Sequence, residues 1–224
     1  MMIRLLRKIM PEKMPRFAAV SYASGPAKIF MPQYRLMAQD VSAVAKGTIL
    51  DIGTGPGVLP LEIGRLMLSA RITGIDVSEK MIEIAKANSK KSGLDNVDFM
   101  EMDANALSFE DSAFDMIIST DSLHHWKRPV RIIAEIYRCL KPGGEAWIYD
   151  GFSGASNQDI NTYTVGIPRV FPIYSLVRLT LGIHGFSQKE YDTLINNIVA
   201  ETRFKECACE QRGVMMRVRL SKKR

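Results

Sequence analysis

Cysteine is scarce in this chain of 224 residues, and the few that occur exclude two common kinds of scaffold. Cys139, Cys207 and Cys209 are too few for a disulfide framework, and none has a neighbouring Cys or His at zinc-finger spacing. The sequence also lacks a run of about 18 uninterrupted apolar residues, and its apolar, basic N-terminus has no small-residue cleavage site. We therefore expect a cytoplasmic protein of a reducing compartment, without a structural metal.

Charge of one sign is only moderately in excess, with a formal net charge of +6. Much of the excess lies at the two ends of the chain, at Arg4, Arg7, Lys8, Arg217, Arg219, Lys222, Lys223 and Arg224. This distribution favours solvated termini over a nucleic-acid-binding surface, so nucleic acid is an unlikely partner. The length and the hydrophobic content of 46% predict one compact domain, since single cores stop growing near ~250 residues.

Short β-rich apolar runs alternate with helical patterns along the middle of the chain. The predicted strands cover residues 48–52, 71–75, 97–102, 114–119 and 145–149, and the predicted helices cover 58–68, 79–89 and 130–140. Such alternation is typical of an α/β fold with a parallel sheet. Further along, the sequence predicts a helix over 188–202 and a β-hairpin of strands 204–209 and 214–220 with its turn at 211–213.

A glycine-rich loop follows the first predicted strand. The run DIGTGPG at residues 51–57 has the spacing D-x-G-x-G-x-G, in which glycines let the backbone approach a ligand where a side chain would collide. A dinucleotide-binding loop would place a third glycine at the sixth position of G-x-G-x-x-G, and that position is Val58. The run therefore predicts a ligand loop of another type.

Acidic residues follow the next two strands. Asp76 lies at the tip of the second strand, where a carboxylate can accept hydrogen bonds from both hydroxyls of a ribose. Asp103 follows the third strand and is placed to accept a hydrogen bond from the amine of an adenine. Together they predict a ligand that contains adenosine.

The motifs DIGTGPG, GIDVS, EMDA, SFEDSAFDMIIS and RCLKPGG make residues 46–150 resemble the class I S-adenosyl-L-methionine (SAM)-dependent methyltransferases. The small-molecule branch, with the ubiquinone and menaquinone methyltransferases, is the most similar. The resemblance implies a Rossmann-like seven-stranded, mostly parallel sheet with helices on both faces and one antiparallel strand, residues 214–220, beside the fifth strand. SAM would be the cofactor and S-adenosylhomocysteine the product. The implied cofactor-binding residues are Asp51, Gly53, Thr54, Gly55, Gly57, Asp76, Val77, Met81, Asp103, Ala104 and Ser119.

By the same resemblance, the segment after the fourth strand, DSLHHW at residues 121–126, receives the methyl acceptor. His124 and His125 are the catalytic candidates, although alignment alone can drive much of a methyl transfer and a pocket-shaping role is the alternative. Since neighbouring side chains point in different directions, we expect at most one of the two to face the site. Tyr22, Tyr34 and Trp126 are expected on the acceptor side.

The chain then divides into four segments of one domain. These are an N-terminal helical cap or lid at 1–46, the SAM-binding core at 47–150, an acceptor-side insert at 151–186, and a C-terminal helix and β-hairpin at 187–224. The apolar insert and the cap predict a small, apolar, quinone- or prenyl-like acceptor. Residues 1–10 form a basic amphipathic pattern that can close over a pocket or rest on an anionic membrane.

Alternatives remain open at this point. The acceptor could be a polar metabolite, RNA or a protein side chain, or the chain could be a non-catalytic SAM-binding partner protein. Residues 119–122, STDS, lack the Asn/Asp-Pro-Pro-aromatic motif of nucleic-acid amine methyltransferases, which argues against base methylation. Cys207 and Cys209 alternate on one strand face that could hold trivalent arsenic, but buried strands commonly carry such cysteines.

Overall fold

The structure of the protein is a computed structural model that describes residue 13 and residues 15–25, 30–165 and 172–224. Its helices and strands are, in chain order, α1 Arg16–Ser24, α2 Met31–Ser42, β1 Thr48–Ile52, α3 Val58–Leu66, β2 Arg71–Asp76, α4 Glu79–Ser92, β3 Val97–Glu101, β4 Phe114–Thr120, the 3₁₀ turn Leu123–His125, α5 Pro129–Cys139, β5 Leu140–Gly151, α6 Asn157–Tyr163, α7 Ile173–His184, α8 Gln188–Glu201, β6 Glu206–Arg212 and β7 Met215–Ser221. The predicted amphipathic segment 1–10 and residues 166–171 of the insert lie outside the described residues.

Seven strands of the described chain form one sheet in the order β3-β2-β1-β4-β5-β7-β6. Strands β1 to β5 pair in parallel with their neighbours, and β7 runs antiparallel between β5 and β6. This confirms the predicted Rossmann-like sheet with one antiparallel strand. Because the strand order reverses between β1 and β4, a crevice opens at their carboxyl ends, where ligands bind in folds of this type.

Two hydrophobic cores cover the two faces of the sheet, because side chains alternate along each buried strand. Ile49 of β1 lies in the core with Ile63 of α3. The next residue, Leu50, lies in the other core with Ile133 of α5 and Ile198 of α8. The helices therefore cover both faces, as predicted.

The fifth strand is longer than the sequence predicted. It begins at Leu140 and includes Gly143 and Gly144, which we expected to lie before the strand. Leu140 pairs with Phe114, and the register then shifts before Met116. The Gly143 N–H donates to the Lys222 carbonyl at 2.7 Å, so the turn residues remain bonded to the sheet.

The turn of the C-terminal hairpin begins two residues later than predicted and ends one residue later. Its strands continue to Arg212 and restart at Met215, which pair with each other, so the turn is Gly213-Val214. Gly213 has a φ of +61°, which glycine adopts without steric cost.

Two helices lie in the insert after β5, for which the sequence analysis predicted no helix. A capping box between Ser156 and Asp159 begins α6. Pro172 directly precedes α7, whose buried residues Val177 and Leu181 are four apart on one face. Among the helices described here, none is long and apolar enough to cross a lipid bilayer.

Candidate active site

A cavity of about 600 Å³ lies at the carboxyl ends of the central strands. Asp51 and Asp76 line one part of it, and His124, Tyr34 and Leu181 line another. The walls thus come from β1, β2, the 3₁₀ turn, α2 and α7. The predicted cofactor and acceptor sides therefore open into one space.

The glycine-rich loop is held against β2 by its own backbone. The Gly53 and Thr54 N–H groups both donate to the Ile75 carbonyl, at 2.8 and 2.9 Å. A Cβ at Gly53 would lie 2.6 Å from the Ser122 Cβ. Gly55 has a φ of +52° and no atom within 4 Å of its virtual Cβ, so its backbone borders open space in the cavity.

Gly57 and Ser119 lie outside the cavity lining, although both were predicted to bind the cofactor. A Cβ at Gly57 would lie 2.5 Å from the Phe99 ring, so this glycine permits α3 to pack closely on the sheet. The buried Ser119 hydroxyl donates to the Ile52 carbonyl at 2.8 Å and lies 2.6 Å from the Ser122 hydroxyl. In the described structure, Gly57 and Ser119 therefore support the glycine-rich loop by packing and hydrogen bonding outside the cavity.

Asp51 is a buried acceptor beside the loop, only 2% exposed. Its Oδ1 atom and the Thr54 hydroxyl have no hydrogen-bond partner among the described residues. Burial, with a smaller contribution from the Asp76 charge, raises the pKa of Asp51 to about 7. Such an acceptor fits a ligand that brings a cationic amino group, because the cation would restore the ionised carboxylate.

Asp76 is fixed by the backbone around it. Its two carboxylate oxygens accept hydrogen bonds from the Gly55 N–H at 3.0 Å and the Ser78 N–H at 2.8 Å. Burial raises the pKa of Asp76, and these two bonds act in the opposite direction. Further predicted cofactor residues line the same cavity, namely Val77, Met81, Asp103 and Ala104.

Aromatic residues from the cap and the insert meet across the cavity. The Tyr22 and Tyr34 hydroxyls lie 3.1 Å apart. The Phe30 ring packs on the Tyr163 ring at 5.3 Å between centroids, and Gln33 Nε2 donates to the Tyr163 carbonyl. Burial raises the pKa of Tyr22 to about 12 and the pKa values of Tyr34 and Tyr163 well above their usual range, so all three phenols stay neutral. Trp126 lines the same cavity.

All three histidines of the chain line this cavity. The ring of His124 lies 4.1 Å from that of His125 and 5.0 Å from that of His184, centroid to centroid. Our expectation that at most one of His124 and His125 would face the site is wrong. They lie on a 3₁₀ turn, where successive side chains are about 120° apart rather than on opposite faces as in a strand. Burial, followed by the neighbouring His124, lowers the pKa of His125 to about 4.

Two acids of the site were not candidates in the sequence analysis, although Asp121 begins the DSLHHW segment that was predicted to receive the acceptor. Asp150 at the end of β5 accepts hydrogen bonds from His124 Nδ1 at 3.0 Å and from the His124 N–H at 2.9 Å. Asp121 lines the cavity with a φ of +52°, and burial, with the charge of Asp150, raises its pKa to about 7. Asp150 directly follows the predicted strand 145–149. The position of an acid at a strand end was therefore the signal that could have identified it.

In the part of the chain that the structure describes, no group of His, Cys, Asp or Glu side chains is arranged to hold a metal ion. Cys207 and Cys209 pack on the core from one face of β6, as their alternation predicted. Burial raises their pKa values to about 11 and about 12. Cys139 is fully buried in the same core.

Comparisons with known proteins agree with this geometry. Residues 50–148 match the family model of a methyltransferase domain. The chain is 36% identical over 98 residues to the demethylmenaquinone methyltransferase of Lactococcus lactis subsp. lactis, covering 43% of the chain and 39% of that enzyme. It is 30% identical over 147 residues to the ubiquinone biosynthesis O-methyltransferase of Pseudomonas entomophila, covering 65% of the chain and 59% of that enzyme. The chain thus spans about three fifths or less of these relatives' length.

The fold is also shared with a protein of known structure, a proposed SAM-dependent methyltransferase from Methanococcus maripaludis. The TM-score is 0.76 at 23% identity, over 96% of this chain and 98% of that one. The unpaired Asp51 oxygen and the oriented Asp76 carboxylate fit the amino group and the ribose that SAM would bring. Residues 50–148 therefore form a methyltransferase domain of the class I SAM-dependent type, whose cofactor is SAM.

Proposed function

We propose that the chain transfers the methyl group of SAM to a small, largely apolar acceptor with a quinone- or prenyl-like body. One observation carries the proposal: a single cavity of about 600 Å³ connects the Asp51 loop with an aromatic and aliphatic chamber. Cavities of this size enclose drug-sized molecules. Both curated relatives named above are quinone-related methyltransferases by name, which supports the same acceptor class.

The chamber supports an apolar acceptor through the residues that face it. Phe30, Tyr163, Leu176, Val177 and Leu181 contribute rings and aliphatic side chains to the wall. Asp121, Asp150 and the three histidines form one polar cluster in the wall, and Thr180 and the hydroxyls of Tyr22 and Tyr34 line the cavity as well. This arrangement favours an acceptor with an apolar body and one polar reacting end, because unpaired buried polar atoms on the body would be costly.

The chain's own residues would hold and orient the two reactants. SAM supplies a methyl group activated by positively charged sulfur. Asp51 would accept the amino group and Asp76 the ribose hydroxyls, while the backbone of Gly55 permits close approach. The contacts of Phe30 and Gln33 with Tyr163 support the proposal that the cap and the insert form a lid that excludes water. Alignment in a dry site supplies much of the acceleration of such a displacement.

Residues 1–10, whose sequence is basic and amphipathic, would bring the enzyme to an anionic membrane that stores an apolar acceptor. The proposal is tested by flotation with liposomes of neutral or anionic lipid, using the full chain and a chain lacking residues 1–10. Flotation of the full chain alone, on anionic liposomes, would support it. Equal behaviour of the two chains would contradict it.

The acceptor class is tested by incubating the protein with methyl-labelled SAM and fractionated extract of its own organism. We expect label in the organic-solvent fraction and release of S-adenosylhomocysteine. Label in polar metabolites, RNA or protein would identify one of the alternative acceptors and contradict the apolar one. SAM binding without label in any fraction would favour a non-catalytic SAM-binding partner protein.

A further inference from the structure

Acidic side chains dominate the charged groups in the wall of the cavity. The aspartates that line it are Asp51, Asp76, Asp103, Asp121 and Asp150, whereas no lysine or arginine of the described chain lies in the wall. The chain as a whole carries a formal net charge of +6, so the cavity has the opposite sign to the molecule around it. Such a wall favours neutral and cationic groups over anions.

Four of these acids already have a partner or an expected one. The Asp150 carboxylate contacts His124 Nδ1 at 3.0 Å. Asp76 and Asp103 each accept a hydrogen bond from a nearby backbone N–H, at 3.0 and 2.8 Å. Asp51 has the unpaired oxygen that fits the amino group of SAM. One acid of the wall remains unexplained by these contacts.

That acid is Asp121, which follows β4. Its backbone N–H donates to the Tyr149 carbonyl at 3.0 Å, but in the part of the chain described here no group donates a hydrogen bond to its carboxylate. The side chain faces the open volume of the cavity, and the protein around that volume separates it from bulk water. This burial, with the charge of Asp150, raises the pKa of Asp121 to about 7. An ionised carboxylate in such surroundings is stabilised by a cation, and His124 Nδ1 faces Asp150 instead.

Neutral phenols lie near the Asp121 carboxylate. Burial is the main cause of the raised pKa values of Tyr22, Tyr34 and Tyr163, and the charge of Asp121 adds to it for all three. The hydroxyls of Tyr22 and Tyr34 lie 3.1 Å apart. Phenol oxygens can accept hydrogen bonds, so this corner of the cavity offers several acceptors beside one carboxylate.

This set of oxygen atoms favours one class of ligand group. A primary ammonium ion has three N–H donors and no acceptor, so it can satisfy a carboxylate and neighbouring hydroxyl oxygens together. An acidic hydroxyl bound in the same place would become a second anion beside Asp121, and like charges disfavour that ionisation. A carboxylate or phosphate group would be repelled for the same reason.

We propose that the acceptor carries a basic amine on its apolar body, and that Asp121, with the hydroxyls of Tyr22, Tyr34 and Tyr163, binds this amine as an ammonium ion. The inference rests on the proposed apolar acceptor and adds the chemistry of its polar end. Asp121 is then the residue that determines specificity for a cationic acceptor. The chamber lined by Leu176 and its neighbours holds the apolar body.

Three probes that share one apolar body test the charge preference: para-hexylbenzylamine, para-hexylbenzyl alcohol and para-hexylbenzoate. Each is titrated by calorimetry into the native protein saturated with S-adenosylhomocysteine. We expect the amine to bind about tenfold more tightly than the alcohol, the gain of a charge-assisted hydrogen bond, and the benzoate to bind most weakly. Equal affinities of the amine and the alcohol, or tightest binding of the benzoate, would overturn the proposal without any variant having to fold.

Asp121→Asn tests the residue itself. Asp121 has a φ of +52°, a conformation that asparagine tolerates as well as aspartate, so the variant removes the charge and keeps the backbone. We expect the preference for the amine over the alcohol to disappear. Asp98→Asn, an exposed acid on β3 outside the cavity, is the matched control and should keep the preference. A folded Asp121→Asn protein that still prefers the amine would refute the assignment.

The sulfonium of SAM is the other cation that could meet Asp121. Titrations of SAM and S-adenosylhomocysteine into Asp121→Asn distinguish the two, because only SAM carries the sulfonium charge. We expect similar, small changes for both ligands. A loss for SAM about tenfold or more greater than the loss for S-adenosylhomocysteine would place the carboxylate at the sulfonium and overturn the amine site. No binding of any probe would contradict the proposed apolar acceptor together with this inference, whereas tight binding of the alcohol without preference for the amine would overturn this inference alone.

Discussion

Asp51 couples cofactor binding to pH at the scale of a single residue. Burial raises its pKa in the folded protein to about 7, from an ordinary value of 3.8. The free carboxyl therefore holds a proton below pH 7, and that proton must leave before a cationic amino group can bind. We expect SAM affinity to increase as pH rises through about 7, approaching tenfold per pH unit on the acid side. Above about pH 8 the SAM amino group itself loses charge, so the increase should stop.

Calorimetry in buffers of different ionisation enthalpy measures this proton release directly. Asp51→Asn should bind SAM more weakly and without the pH dependence, whereas Asp98→Asn, an exposed acid on β3, should behave like the native protein. The raised pKa of Asp51 also makes the stability of the fold depend on pH, in the opposite direction to its effect on SAM affinity. Because the folded pKa of Asp51 is raised, its contribution to the free energy of unfolding is lost as pH rises from about 4 to 7. Equal pH profiles for Asp51→Asn and the native protein would contradict both expectations.

A second prediction at the scale of a single residue concerns Asp76. Its carboxylate is oriented by the Gly55 and Ser78 N–H groups and faces the cavity. Asp76→Ala should weaken SAM binding by about 1 to 3 kcal/mol, the loss expected for a charge-assisted hydrogen-bonding group. Titration calorimetry with SAM and S-adenosylhomocysteine measures this loss of affinity. The same titration with NAD should show no binding. Native SAM affinity in Asp76→Ala would remove this residue from the ribose site.

At the scale of elements, the loop between β1 and α3 contains one glycine that the packing of the fold requires and another that borders the cavity. Gly57 has a φ of +78°, and an added Cβ would meet the Phe99 ring at 2.5 Å. Gly55 has a φ of +52° with nothing within 4 Å of that position. Gly93, the C-cap of α4, has a φ of +68° and equally open surroundings, but it lies outside the cavity.

We therefore expect Gly55→Ala and Gly93→Ala each to lower the free energy of unfolding by about 1 to 2 kcal/mol through backbone strain. Gly57→Ala should lose roughly 1 to 3 kcal/mol more, because overpacking adds to strain. Of the two milder variants, Gly55→Ala and Gly93→Ala, only Gly55→Ala should also weaken SAM binding. Urea unfolding and calorimetry measure the two effects, and equal stability of all three variants would disprove the packing role of Gly57.

At the scale of the whole molecule, the proposed lid depends on the tertiary contacts of Phe30 and Gln33 with Tyr163. Tyr163→Ala removes the ring that packs on Phe30, so we expect a KM for the acceptor raised severalfold with little change in SAM affinity. Hydrogen exchange should become faster in α1, α2 and α6. Val44→Ala, an exposed change outside the cavity, is the control. Unchanged exchange and KM in Tyr163→Ala would argue against a lid.

The sequence determined the sheet and the cofactor loop, because both follow from local patterns. The alternating and helical spacing of apolar residues predicted the five parallel strands and the helices between them. The spacing D-x-G-x-G-x-G, with Val58 at the position of a third glycine, excluded a dinucleotide-binding loop. The acids at strand ends were predicted at Asp76 and Asp103 from their places after the second and third strands, whereas the role of Asp51 came from the resemblance. Local patterns were weaker where a segment is stabilised by contacts with distant residues, which is why α6 and α7 were missed.

Tertiary structure decided which side chains contact one another on the acceptor side. The partnership of His124 with Asp150 joins residues 26 positions apart, and the ring contact with His184 comes from another helix again. Tyr22, Tyr34 and Tyr163 come together from α1, α2 and α6, which are far apart in the chain. The raised pKa of Asp51 likewise depends on burial, which no single segment encodes. Sequence spacing fixes how backbone elements form, whereas proton positions and pocket chemistry arise from the packing of elements that the chain keeps far apart.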